Sequence, residues 1–470
     1  MYTFSGFYTE ITGFAPFEWQ VRAADYMVDR GIFPSQVNVP TGLGKTSIMH
    51  CWAYALAHHL HNGTPHNLGR RYVHAVERRI IVDGAYNEAE KLTQALNSPD
   101  TPAVQWVAQG LAKIKDPANN EPNLLVTSFH GTKADNRTWL THAGASIIST
   151  TLTQATLRLL GAGPGISTRS ARVHAGLLGV DTTIVVDEPH LAQAHIQTLL
   201  QVEKLSAMHV CILGATLPEY LQSTGDTILI DPNSETSEAA RKRLNVSRTL
   251  NIMEGTKFPK DVADDIKENY NEKLRTVVFC NTVKTARDTA QALNSNKKLA
   301  GKVRVITSHV RPCDREDFSG IAKGDIVIAT QTLEAGADFS SDALYTQPCP
   351  WPAMTQRLGR LSRYGETLGA VAKVFVPEKE DLGSSAVYGE EMMSTVSSRL
   401  AEHCGETVEV GLAHIRELKH LLHGEESAWP KPPRVGIMDS TYATRLLLTP
   451  DYAASSLWIK DLDDTTILPA

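Results

Sequence analysis

Short runs of β-branched and apolar residues recur along the chain, each followed by a polar or glycine-containing turn and then by a stretch of helical period. That alternation predicts parallel strands joined by crossover helices. The strands predicted this way are Gln36–Val39, Thr182–Asp187, Val210–Leu213, Thr276–Cys280, Asp325–Ala329 and Ala372–Val376. Between Asp231 and Val246 the chain turns polar and charged, opening with Pro232, Asn233 and Ser234, as a connection between domains does. The expected fold class is therefore α/β, with one domain over 1–235, a second over 236–400 and a small accessory region over 401–470. The accessory region is expected to be helical from about Leu400 to Leu422 and proline-rich around Pro430–Pro433. Ala162–Ser170, rich in Gly, Ser and Thr, and the acidic Glu378–Gly383 read as solvated loops, and no internal repeat stands out.

Composition narrows the class. A chain of 470 residues exceeds one ordinary core, and typical domain sizes give roughly three units. Apolar residues at 42%, charged residues at 21% and 23 prolines describe a folded globular chain, since disordered chains lack the apolar surface that offsets ordering entropy. The longest apolar runs, such as Thr183–Val186 and Ile326–Ala329, are far short of a membrane span, so no membrane partner is expected. Residues Met1–Glu10 carry neither the basic start nor the apolar run of a secretion signal, which makes the cytoplasm the expected compartment. Six dispersed cysteines form no Cys-x-x-Cys pair and read as buried thiols. A net charge of −6 gives no global attraction to nucleic acid, so any such binding must come from local loops.

One segment carries specific chemistry. Pro40-Thr41-Gly42-Leu43-Gly44-Lys45-Thr46-Ser47 follows a predicted strand and opens a helical stretch, Ser47–Leu60. This is the context of a phosphate loop: glycines let successive N–H groups face the phosphates of ATP at a helix N-terminus, Lys45 adds a point charge, and the Thr46 hydroxyl can hold Mg²⁺. The wider phosphate-loop pattern has a glycine where this chain has Val39.

Asp187-Glu188-Pro189-His190 closes the run Thr183-Ile184-Val185-Val186, placing two carboxylates at the carboxyl end of a buried strand, where open α/β sheets build their sites. Asp187 would bind Mg²⁺ and Glu188 would orient the water that attacks the γ-phosphate. Further on, Gln356-Arg357-Leu358-Gly359-Arg360-Leu361-Ser362-Arg363 puts Arg360 and Arg363 at i, i+3 helical spacing, so both guanidinia can face one phosphoryl group, with Gln356 beside them.

Strand-end donors are candidates for a nucleic-acid backbone: Thr150, Thr153, Gln154, Thr282 and Thr330, with charge from Arg78 and Arg79. Each threonine is equally well read as a helix cap. His58, His59, His61 and His66 read as a polar helix end, because no carboxylate or cysteine completes a metal set.

With these residues in hand, the chain resembles superfamily 2 helicases, whose motifs appear in order from Phe17 to Arg363. Phe17-Glu18-Trp19-Gln20 resembles the motif that reads adenine, Gly214-Ala215-Thr216 the motif coupling hydrolysis to movement, and Ala329 to Asp338 the fifth motif, with Gly336 and Asp338 near the nucleotide. The resemblance implies two tandem RecA-like domains with parallel β-sheets flanked by helices, ATP being hydrolysed at the cleft between them. It is closer to the CRISPR-associated helicase of type I systems, subtype I-G, through Trp52, Val76–Asp83, Ala175–Asp181 and His190-Leu191. That family implies 3′ to 5′ translocation on single-stranded DNA opened by a guide-RNA surveillance complex. Two departures matter: Pro189 stands where a small residue is usual, and Glu77 where the subtype tends to have aspartate. The family also joins its motor to a histidine–aspartate nuclease, yet none of the 17 histidines here is followed by Asp, so that nuclease is expected in a separate subunit or a missing portion. A general repair or RNA helicase, and an ATP-binding interaction module without turnover, are the alternatives.

Overall fold

The computed structural model describes residues 2–40, 42–129, 137–163, 165–215, 217–221, 225–230, 235–307, 321–334, 339–377, 382–411, 414–424 and 426–429. They form two compact units, Met1–Ser237 and Glu238–Pro430.

In the first unit, seven strands make one sheet: β1 (Gln36–Asn38), β2 (Arg71–Ala75), β3 (Leu124–Phe129), β4 (Ala145–Thr150), β5 (Val180–Asp187), β6 (Ala207–Gly214) and β7 (Thr227–Leu229). Their order is β3-β4-β2-β5-β6-β1-β7 and every pairing is parallel. Parallel pairing lines up the carboxyl ends. Ala75 sits beside Thr150 on one side and Val186 on the other, Asp187 beside Leu213, and Gly214 beside Asn38. The acidic pair, the Gly214 loop and the start of the phosphate loop therefore share one edge. Val73, Ile148, Ile184, Val186 and Ile212 fill one face of the sheet, and full burial of each such side chain contributes about 1.5–3 kcal/mol.

The second unit repeats the plan with β8 (Arg248–Gly255), β9 (Thr276–Phe279), β10 (Val303–Ile306), β11 (Ile326–Ala329), β12 (Ala343–Thr346), β13 (Ala370–Pro377) and β14 (Thr407–Glu409), in the order β10-β11-β9-β12-β13-β8-β14. Only β14 runs antiparallel. At its carboxyl edge Ile306, Ala329, Phe279, Thr346 and Val374 stand in register.

All six predicted strands are present within a residue or two of their expected ends, except that β6 starts three residues earlier. The end of the chain differs more. The described part of the stretch expected as an accessory region is built into the second unit: β14 extends the sheet along β8, and Leu418, Leu422 and Trp429 join its core. A strand interrupts the expected helix because Gly405 and Val408 break the helical period; Gly405 takes φ of 90°. The loop expected over Ala162–Ser170 already becomes helix at Thr168, capped by Ser167.

Candidate nucleotide site and its counterpart in the second unit

In the first unit the phosphate loop turns through Gly42 (φ 85°) and Gly44 (φ 68°), backbone that side-chain-bearing residues rarely adopt. A single 3-10 turn, Lys45–Ser47, then leads into the helix Ile48–Asn62. The loop is braced from behind. The Trp19 indole N–H donates to the Leu43 carbonyl (3.0 Å), the Gln20 amide donates to the Gly44 carbonyl (3.3 Å), and the Tyr8 hydroxyl meets Ser47 Oγ (3.2 Å). Gln20 also accepts from the Phe17 N–H (2.8 Å), so one side chain ties the start of its helix to the loop. A Cβ on Gly44 would lie 3.1 Å from the Gln20 amide nitrogen, so this close approach needs glycine.

The loop's lysine reaches the strand-end acids. Lys45 Nζ donates to Glu188 Oε1 at 2.9 Å and lies 3.8 Å from Asp187 Oδ1, with all three side chains buried. Burial alone would raise the Asp187 carboxyl, but Lys45 and the neighbouring His74, 3.6 Å away, hold it below its usual range. Glu188 takes φ of 52° and ψ of 62° immediately before Pro189. For a residue that is not glycine this left-handed backbone is strained, and such strain persists where surrounding structure enforces it. The enforcement is visible: the Glu188 N–H is held by the Leu213 carbonyl (3.2 Å) and Asp187 Oδ1 (3.0 Å). The effect of Pro189 is thus to start a helical turn rather than to extend Glu188. Gly214 completes the corner, since a Cβ there would meet Leu217 at 2.9 Å and Pro189 at 3.2 Å. Two buried carboxylates beside one ammonium form a net-negative set of hard oxygen donors, a chemistry that fits Mg²⁺, which Asp187 and the half-buried Thr46 could hold.

The second unit contains a denser charge cluster. Arg357 is fully buried in the helix Trp351–Leu358. Its guanidinium pairs with Glu334 Oε1 (2.7 Å from Nη2, 2.9 Å from Nε) and donates to Thr346 Oγ1 (2.7 Å), Asn281 Oδ1 (2.7 Å) and the Tyr388 hydroxyl (3.0 Å). Arg360, also buried, donates to the carbonyls of Leu333 (3.0 Å) and Glu334 (2.8 Å). Arg363 holds its backbone on Ser340 Oγ (2.9 Å) and its guanidinium near the Tyr364 ring. Gln356 is buried one turn before Arg360.

Comparisons with known proteins agree with this architecture. Residues 272–366 match the family described as CRISPR-associated nuclease/helicase Cas3, C-terminal. A protein of Methanocaldococcus jannaschii named as a CRISPR-associated nuclease/helicase Cas3 is 24% identical over 200 residues, covering 40% of this chain and 28% of the relative. The CRISPR-associated helicase Cas3 of Thermoproteus tenax is 28% identical over 225 residues, covering 44% and 35%. Over these stretches the chain resembles Cas3 helicases. Its fold superposes on that of T. fusca Cas3 with ATP at a TM-score of 0.64, with 15% identity, covering 99% of this chain and 57% of that one. The helicase Lhr of Mycobacterium smegmatis, bound to single-stranded DNA and AMP-PNP, gives 0.54 with 18% identity, covering 86% and 50%. The two sheets thus have the fold of the tandem RecA-like domains in those helicases, and the chain matches only about a third of the length of its curated relatives.

The chain brings together at one edge of the first unit Pro40, Gly42, Leu43, Gly44, Lys45, Thr46, Ser47, Asp187, Glu188, Gly214 and Ala215, with Phe17 and Gln20 behind the loop. Thr41, Thr216, Gly336 and Asp338 lie outside the described residues, as does the side chain of Arg79. The strand-end donors divide. The Thr282 hydroxyl caps the helix Val283–Asn294 by accepting from Thr285 N (3.1 Å), and Thr153 Oγ1 donates to Glu77 Oε1 (2.8 Å). Thr151, which the sequence reading passed over, caps the helix Leu152–Leu159 through Gln154 N. Thr150 and Thr330 are buried at strand ends, and Arg78 is half-buried ahead of the helix Arg79–Asn97. The grouped histidines are engaged otherwise: His59 Nε2 meets the Met27 carbonyl (3.0 Å), and His61 stacks on Trp106.

Residues given no role from the sequence are Tyr8 and His74 around the loop, with Trp19 of the adenine-motif segment, and Asn281, Glu334, Arg357 and Tyr388 in the second unit. Arg357 and Glu334 stand inside segments already singled out, where an acid and a base in separate motifs could have been paired. No local signal marks Tyr388.

Proposed function

We propose that the chain is the ATP-driven motor of type I CRISPR interference, translocating 3′ to 5′ on single-stranded DNA opened by a guide-RNA surveillance complex. The observation that carries this reading is the contact of Lys45 with both Asp187 and Glu188, which joins a phosphate loop to a strand-end acid pair in one buried site. Arriving β- and γ-phosphates would compete for the Lys45 ammonium. Its release from Glu188 Oε1 frees that carboxylate to orient water in line with the γ-phosphate. Mg²⁺, held by Thr46 and Asp187, would neutralise charge on the phosphates. Gln20 and Phe17 would read adenine, and Gly336 and Asp338 would lie near the nucleotide.

Arg360 and Arg363, with Gln356, would contribute from the second unit to charge developing on the transferring phosphoryl group, so hydrolysis needs both units. Gly214, Ala215 and Thr216 would pass the state of the nucleotide to the strand-binding surface. Arg78, Arg79, Thr150, Thr153, Gln154, Thr282 and Thr330 are the proposed contacts to the DNA backbone. Cutting would fall to a histidine–aspartate nuclease in a separate subunit or further portion of the protein.

The test is ATP hydrolysis with single-stranded DNA, double-stranded DNA or RNA, paired with displacement of a strand from 3′-tailed and 5′-tailed duplexes. Stimulation by single-stranded DNA and displacement only from the 3′ tail are expected. Stimulation by RNA alone would move the chain to the RNA helicases, and nucleotide binding without turnover would make it an interaction module.

A further inference from the structure

Arg360, the arginine proposed to act on ATP, lies past the end of the helix Trp351–Leu358, and Ser362, with φ of 44°, breaks the helical spacing expected between it and Arg363. Two N–H groups of Arg360 are taken by the carbonyls of Leu333 and Glu334, which belong to the turn Gln331–Leu333 and the residue after it, beyond the end of β11. What fixes those carbonyls is the buried cluster beneath them. Glu334 cannot rotate away without leaving Arg357, and Arg357 is held in turn by Asn281, Thr346 and Tyr388 from three other segments. The Tyr388 hydroxyl lies 3.0 Å from Arg357 Nη2, 3.4 Å from the Gln331 amide and 3.5 Å from Glu334 Oε1, so it touches both ends of the turn and the arginine that anchors it. Tyr388 comes from the helix Leu382–Tyr388, outside every motif of the motor.

We propose that Tyr388, with Arg357 and Glu334, is a positioning residue for Arg360: the three hold the 331–334 turn as a rigid seat whose carbonyls aim the Arg360 guanidinium. The inference rests on the ATPase reading above. An arginine pre-oriented by backbone acceptors loses less freedom when it meets a phosphoryl group, so its contribution appears in turnover and not in nucleotide affinity. The seat also begins at Thr330, a proposed strand contact, so a bound strand and the aim of Arg360 bear on one turn.

Tyr388→Phe keeps the ring in the core and removes only the hydroxyl. In the full chain it should lower kcat for single-stranded-DNA-stimulated hydrolysis about tenfold, the size expected of a residue acting through another, with KM for ATP unchanged and the melting transition retained. Placed in an Arg360→Ala background and followed by single-turnover hydrolysis, the same change should have no further effect, because the group it positions is gone. A merely structural role would lower the rate equally in both backgrounds, which overturns the proposal, as would a raised KM or an unchanged rate. Hydrogen exchange gives a readout free of catalysis: Tyr388→Phe should speed exchange of the Leu333 and Glu334 amides while β9 and β13 stay protected. Equal protection in the two proteins overturns the seat. A wild-type chain that hydrolyses no ATP overturns the functional reading and the role assigned to Arg360, whatever the exchange shows.

Discussion

Both units bury an acid–base pair at the carboxyl edge of a parallel sheet, yet the two pairs are built for opposite purposes. Lys45 meets Glu188 and Asp187 beside a glycine loop, where one ammonium is shared by two carboxylates. Arg357 meets Glu334 with further bonds to Asn281, Thr346 and Tyr388, and its side chain is wholly enclosed. One ammonium shared between two carboxylates makes the first cluster suited to exchanging partners. Several bonds on one guanidinium make the second a fixed point, since a satisfied buried network rigidifies its surroundings.

The largest expected effect separates the two. Lys45→Ala should slow ATP hydrolysis about 10²–10³-fold, the loss typical of removing one preorganised charge from a reacting centre, while circular dichroism reports an unchanged fold. Near-normal turnover would show that the loop is not the phosphate site. Arg357→Met should do the reverse and act first on the fold, because the buried Glu334 loses its countercharge; breaking such a pair typically costs about 3–5 kcal/mol. Denaturant unfolding should show the second unit melting early while the first holds. If Lys45→Ala unfolds its unit and Arg357→Met does not, the contrast between exchangeable and fixed pairs is wrong.

The same contrast explains what could be read from the sequence. The first site is contiguous: Pro40–Ser47 and Asp187–Glu188 each follow a β-branched run, so periodicity placed both at strand ends before any geometry was known. Strand β2 escaped because Arg71 and His74 interrupt its apolar pattern, although both are buried, with Arg71 donating to the Val180 carbonyl and His74 beside Asp187. The Arg357 cluster escaped for another reason. Its members come from positions 281, 334, 346, 357 and 388, and only the order of strands β11, β9 and β12 brings the first three segments together. Segment 407–409 was read as helix since a three-residue edge strand is too short to show a period of two.

The smallest effect concerns acid. His423 is buried beneath the helix Trp351–Leu358, and its Nε2 accepts from the Trp351 N–H at 3.1 Å. Burial, reinforced by Lys419, pushes its pKa down to about 4. The neutral ring is therefore the form that the folded second unit requires, whereas in the unfolded chain the same ring takes up a proton near its ordinary 6.5. A depressed folded value means that the stabilising contribution is whole above pH 6.5 and falls as pH drops towards 4. Allowing for partial solvent screening, the loss across that window is roughly 1–2 kcal/mol. Urea midpoints of the second unit measured at pH 7.0 and 5.0 should therefore differ in the wild type, and the difference should shrink in His423→Gln, whose side chain can still accept from the Trp351 N–H without titrating. An equal acid shift in both proteins would place the sensitivity elsewhere and leave His423 as packing alone.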